Sequence, residues 1–256
     1  MTGVIDSHIH LDRYDESERK EIINSLENNN IQGLIAVSND LKSLKKLMKI
    51  ANHNEFVKPC AGYHPEQELP NLLQTEVLFD YIKTNHESIY GIGEVGLPYY
   101  LQENDKFFNK DPYIYLLEKF ITLAKELDKP LNIHAVYEDT KVVCELLEKH
   151  DYHKAHFHWA KTDFNTLELM VKKGYMISIT PDIIYKERTR ELVKFYPLDL
   201  MMVETDGPWR YEHLDKAITQ PKMLYDIIEQ IAHIKNSTQL NVEQQILKNT
   251  KQFYKL

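Results

Sequence analysis

A chain of 256 residues can bury a large core, and it fits one α/β domain over residues 1–256 better than two small ones. With 39 acidic against 31 basic side chains its net charge is −8, which argues against broad charge-driven binding of duplex nucleic acid. A small anionic substrate, or a strand end held by metal ions, is not excluded.

No apolar run is long enough to span a bilayer, so no membrane association is expected. The first residues read as a strand rather than as a signal segment. Cys60 and Cys144 lack ligand spacing and read as small buried apolar residues. The expected compartment is the cytoplasm, and no protein partner is predicted.

In chain order, short apolar runs alternate with longer amphipathic ones. Strands are predicted at 4–10, 33–38, 57–63, 89–95, 131–134, 155–158, 175–179 and 200–204. Helical patterns lie at 15–29, 41–52, 72–85, 112–127, 139–149, 164–173, 186–195 and 221–235, and a last helix at 242–254 closes the chain. Several strands are almost wholly apolar, as parallel strands covered on both faces are. Eight β-then-α units predict a (β/α)8 TIM barrel.

The first strand carries Asp6-Ser7-His8-Ile9-His10. Side chains alternate along a strand, so His8 and His10 share a face at a backbone spacing of roughly 6.6 Å. Two imidazoles so placed can close on one divalent ion, and Asp6 on that face is a candidate outer partner. The other polar strand residues collect at C-terminal ends: Glu94 on the fourth, His134 on the fifth, His158 on the sixth, Glu204 and Asp206 on the eighth. His64 follows the third. In barrel enzymes that rim carries the chemistry.

DSHIHLD, GYHPE (62–66), GEVGLPYY (93–100), PLNIH (130–134), HFHW (156–159) and ETDGPW (204–209) occur in the order seen in the TatD family of metal-dependent hydrolases. The ending Asn249-Thr250…Phe253-Tyr254 is similar to that family's as well, so the resemblance spans the chain. It implies two divalent ions per chain: His8, His10 and Asp206 on one, His134 and His158 on the other, Glu94 bridging. Such a donor set suits Zn²⁺, Mn²⁺ or Co²⁺, with Mg²⁺ also possible. A pair of ions would lower the pKa of a water and clamp the attacking and leaving oxygens. Asp206 is then the catalytic residue that takes the proton. Family spacing, counted back from Lys173-Gly174-Tyr175, selects His158 over His156, which is expected deeper in the strand. The same reading makes His64 a substrate-side residue; the alternative is a turn histidine pinned by Pro65. Alternation puts Glu204 with Asp206 on the inward face, as a support of the site, and Trp209 and Arg210 just beyond either meet substrate or belong to a solvent loop.

Three departures from the family pattern bear on the substrate. Pro98 stands where relatives commonly have an acid, Val136 where they have an arginine, and Ala160-Lys161-Thr162 where they have Phe-Ser-Gly. Losing that arginine removes a bidentate phosphate partner, and Lys161 can replace its charge but not its fork. The segments 98–111 and 207–220 are candidate walls of the site. Tyr99, Tyr100, Phe107 and Phe108 in the first either stack on bases or pack on the barrel, and packing is the expectation.

The leading expectation is a phosphodiesterase resembling TatD-type deoxyribonucleases, acting on DNA strand ends or another small anionic substrate. The alternative is a hydrolase of a carboxylic ester, amide or lactone with the same metals. A non-catalytic metal-binding barrel is the third reading, and the complete ligand set argues against it.

Overall fold

The computed structural model describes residues 2–103, 105, 107–211 and 218–256. Eight parallel strands run in sequence order around a barrel: β1 (Val4–Ile9), β2 (Ile31–Val37), β3 (Val57–Ala61), β4 (Gly91–Gly96), β5 (Leu131–His134), β6 (Ala155–Phe157), β7 (Met176–Ile179) and β8 (Met201–Val203). The helices are α1 (Glu16–Ser25), α2 (Leu41–Ala51), α3 (Leu72–Thr84), α4 (Tyr99–Glu103), α5 (Asp111–Leu127), α6 (Glu138–Lys149), α7 (Phe164–Lys173), α8 (Glu187–Phe195), α9 (Leu224–Ile234) and α10 (Gln239–Tyr254). This is the (β/α)8 barrel expected from the alternating pattern. No helix of the described residues is long and apolar enough to cross a membrane.

Most core side chains lie between the strands and the helical ring, where Leu34, Ile92, Ile133 and Phe157 meet Leu47, Phe120 and Ile228. A smaller cluster of Ile5, Ile35, Val37, Cys60, Met176 and Met202 packs with Tyr254 from α10. Past the end of β8, the Asp206 N–H donates to His8 O (3.0 Å) and the His10 N–H to Gly207 O (2.8 Å), which ties the eighth strand's exit to β1.

Local chemistry explains the boundaries. α1 opens on a capping box between Asp15 and Glu18. It stops at Ser25, not at 29, because Asn28-Asn29-Asn30 favours a turn, and Asn30 takes φ +53°. α10 begins three residues ahead of its apolar pattern because Thr238 caps it through the Asn241 N–H. The segment 98–111 contains α4, a short helix that the length of the connection did not reveal. Gly62 and Gly96 permit close strand approach beside the site: a Cβ would lie 2.4 Å from Glu94 O at the first and 1.8 Å from His134 O at the second.

Candidate metal centre

β1, β4, β5 and β6 and the chain leaving β8 deliver His8, His10, Glu94, His134, His158 and Asp206 to the C-terminal end of the barrel. The side chains meet around Glu94, which is fully buried. On one side His8 Nε2 lies 3.4 Å from His10 Nε2 and 3.4 Å from Glu94 Oε2. Asp206 Oδ1 lies 3.5 Å from both imidazole nitrogens, and His10 Nε2 is 3.1 Å from Glu94 Oε2. Ligands about 2.1 Å from a tetrahedral ion stand about 3.4 Å apart, so these separations fit the edges of a coordination shell.

On the other side His158 Nε2 and His134 Nδ1 lie 2.9 and 3.0 Å from Glu94 Oε1, and 3.2 Å from each other. Glu94 Oε2 is buried without a hydrogen-bond partner among the described residues. Burial opposes its charge, yet the surrounding imidazoles, His158 and His8 among them, hold its carboxyl well below the usual range. Burial alone would depress the His8 and His134 imidazoles; Glu94, joined by Glu66 at His134, lifts them to about 10 and about 9. Buried carboxylates that must draw protons onto imidazoles lack positive charge, and lone pairs of N and O donors converging at coordination spacing fit divalent ions at this place.

Outer contacts set the ligand tautomers. His8 Nδ1–H donates to Asn132 Oδ1 (2.8 Å), leaving Nε2 free for an ion. Asn132 Nδ2 donates to the Tyr254 hydroxyl (3.0 Å), which donates to His156 Nδ1 (2.8 Å). His156 Nε2–H then meets Ser178 Oγ (2.6 Å), and Ser178 donates to Glu204 Oε2. Burial holds His156 down to about 3, so it is neutral, as this donor sequence requires. The other Glu204 oxygen accepts the Trp159 N–H (2.8 Å) and lies 3.6 Å from His158 Nδ1. Both oxygens of Glu204 are therefore engaged in holding the wall. His134 Nε2 faces Glu66 Oε1 at 3.3 Å, and Glu66 is itself fixed by the Tyr100 and Leu101 N–H groups (both 2.9 Å).

Asp6 reaches neither the His8 nor the His10 ring. Its carboxylate accepts from Thr205 Oγ1 (2.6 Å) and Thr205 N (3.0 Å), so it anchors the residue before Asp206. Asp206 itself takes φ +49°, which an aspartate tolerates better than most residues.

His64 Nε2 stands 3.5 Å from Glu94 Oε1, close to His134. Its Nδ1 accepts the Glu66 N–H (3.1 Å), and burial keeps the ring neutral, down to about 3. Nε2 therefore carries the hydrogen and offers a donor rather than a lone pair. Lys161 Nζ sits 3.6 Å over the Trp159 ring and 3.4 Å from the Tyr100 hydroxyl, with burial bringing it down to about 8. His64, Lys161, Trp209 and Arg210 line one cleft of about 580 Å³ with the clustered donors, and Val136 forms part of its wall.

Of the four aromatic residues in 98–111, Tyr100 faces the cleft, Tyr99 packs on Tyr137 (4.7 Å), Phe108 on Tyr113 (5.3 Å), and Phe107 is exposed. In the second wall Pro208 to Arg210 line the cleft and Tyr211 is buried, while residues 212–217, including His213, lie outside the described residues.

Sequence reasoning did not assign Glu66, Asn132, Ser178 or Tyr254. The first two sit inside the GYHPE and PLNIH motifs, and that adjacency was the available signal. Changing either Asn132 or Glu66 to Ala is expected to weaken metal binding by about 10–100-fold, read by competition with a chromophoric chelator. Affinities equal to wild type would mean these contacts do not orient His8 and His134.

A family model described as TatD related DNase matches residues 5–255. An uncharacterized metal-dependent hydrolase from Haemophilus influenzae is 39% identical over 254 residues, 99% of this chain and 100% of its own length. Human deoxyribonuclease TATDN3 is 29% identical over 215 residues, 80% of this chain and 78% of its own. Among solved structures, the TatD homolog YJJV of Escherichia coli superposes with a TM-score of 0.84 at 18% identity, over 99% of this chain and 98% of that one. A TatD family hydrolase from Entamoeba histolytica gives 0.85 at 18% identity over the same shares.

Proposed function

The chain belongs to the TatD-related DNase family of metal-dependent hydrolases, and on that premise we propose that it hydrolyses phosphodiesters at DNA strand ends. The observation that carries the reading is the division of Glu94: one carboxylate oxygen faces His8 and His10, which Asp206 borders, and the other faces His134 and His158. In this reading those six residues hold two divalent ions. Ions so held would supply Lewis-acid stabilisation of the phosphoryl oxygens and a water of lowered pKa.

The chain's own residues do the rest. Asp206, at the mouth of the cleft, takes the proton of the attacking water. His64 Nε2–H donates to a non-bridging phosphate oxygen, and Lys161 supplies a point charge where Val136 cannot. Trp209, half exposed and in edge contact with Trp159 (5.7 Å), offers a face for a base. A strand end needs only this local set of cations, which is consistent with a net charge of −8.

Lys161 gives the reading a pH dependence. Its amine is lowered to about 8, so it is cationic below that value and neutral above it. KM for a phosphodiester is expected to rise as pH passes about 8, and Lys161→Ala should raise KM at pH 7 and flatten that limb. A Lys161→Ala profile that retains the wild-type limb would remove Lys161 from anion binding.

Val136 also favours a second reading, hydrolysis of a carboxylic ester, amide or lactone, because an apolar side chain in the cleft wall suits an acyl group better than a phosphate. The two separate in one assay: a labelled single-stranded oligonucleotide with Mn²⁺, Mg²⁺ or Zn²⁺ supplied in turn. Metal-dependent shortening supports the nuclease, and none with metal-loaded protein transfers the weight to acyl chemistry.

A further inference from the structure

Beside the metal cleft lies a second groove of about 430 Å³, between the start of α7 and the length of α8. Its lining includes Phe164, Arg188, Lys194 and Phe195, and it shares Lys161 with the cleft. We propose that this groove holds the next nucleotides of a single-stranded polynucleotide whose scissile phosphate is in the metal cleft. The proposal rests on the phosphodiesterase reading for what occupies the cleft, and it adds where the rest of the strand runs.

Three observations carry it. The first is continuity: Lys161 belongs to both walls, and an isolated bridge pairs it with Val136, so the exits of β5 and β6 form one partition between the two cavities. A strand leaving the cleft past Lys161 enters this groove first. The second is charge. Lys161, Arg188 and Lys194 face one lining carboxylate, Glu191, which stands 3.7 Å from Lys194, in a chain whose overall balance is acidic. Arg188 is exposed, with Nη1 3.3 Å from the Tyr137 hydroxyl, so its guanidinium lies at the groove surface where it can meet a phosphate.

The third is the aromatic floor. Phe164 is 55% exposed at the first position of α7, and its ring lies 4.4 Å from that of Phe195. An exposed aromatic ring between backbone-contacting cations is the arrangement that binds single strands without reading sequence. Leu167 and Leu192 add apolar lining to the same groove. The volume lies in the range that takes a ligand of drug size, which a nucleotide unit matches.

The test uses the full metal-loaded chain and two probes: a fluorescein-labelled oligothymidylate of about twelve nucleotides, followed by anisotropy, and bis(p-nitrophenyl) phosphate, followed by colour. The second probe is too short to leave the cleft. Arg188→Glu and Phe164→Ser are each expected to raise the oligonucleotide Kd at least about fivefold and leave turnover of the small diester unchanged, which also reports an intact fold. An oligonucleotide Kd unchanged in both variants overturns the groove and leaves the phosphodiesterase reading standing. Binding that the variants weaken, with no hydrolysis of either probe by the wild type, contradicts that reading but keeps the groove. An oligoglutamate of equal length that competes as well as the oligonucleotide would overturn the assignment to nucleic acid.

Discussion

At full metal loading, Asp206→Asn is expected to lower turnover of a phosphodiester by about 10²–10⁴-fold, the range that a positioned proton acceptor contributes. The substitution keeps the shape of the side chain and its place at the end of β8. It removes a carboxylate that borders both His8 and His10 and opens on the cleft. Asn cannot accept the proton of an attacking water as a base does, and it brings no negative charge to the metal side of the cluster. The backbone that positions it is independent of the side chain, because Asp6 fixes Thr205 and His8 O accepts the Asp206 N–H. The variant should therefore fold, and steady-state kinetics on metal-reconstituted protein with metal content measured in parallel makes the comparison. Wild-type turnover by the fully loaded Asn variant would exclude Asp206 as the base.

Glu94→Gln is expected to empty the centre. The change leaves four imidazoles and Asp206 around a neutral amide, and each half of the cluster loses its shared anionic oxygen. A group one contact further out typically alters metal affinity by about 10–100-fold, so removal of a shared ligand should exceed that. Elemental analysis after reconstitution should fall from two ions per chain to below one. A ligand present at about 100 times its Kd stabilises a fold by about 2.7 kcal/mol. The wild type should therefore lose thermal stability on adding chelator, whereas the Gln variant should not respond. Wild-type ion content in the Gln variant would show that Glu94 is not the bridge.

The fold was legible because the physical signal is local. Eight apolar runs at near-regular spacing, each followed by an amphipathic stretch, leave few architectures besides a closed parallel barrel. The candidate ligands were legible for the same reason: His8 and His10 are two apart on one strand, and the others sit at strand ends. What escaped was set by distance along the chain. Asn132 fixes His8 from 124 residues away, and Tyr254 meets Asn132 across 122. No window of sequence reports such pairs.

Local misreadings had local causes. The run Asn28-Asn29-Asn30 ended α1 early, since three amides compete with helical hydrogen bonds. α4 went unread because its five residues are too few to show a helical period. His64 illustrates the limit of proximity: distance alone groups it with Glu94 and His134, and only the Glu66 N–H on its Nδ1 reveals that its cleft-facing nitrogen carries hydrogen.

The most direct test of the two-ion centre is an anomalous difference map from a crystal of Mn²⁺-loaded protein. The account predicts two peaks, one enclosed by His8, His10, Asp206 and an oxygen of Glu94, the other by His134, His158 and the second oxygen. A single peak, or peaks away from Glu94, would contradict it.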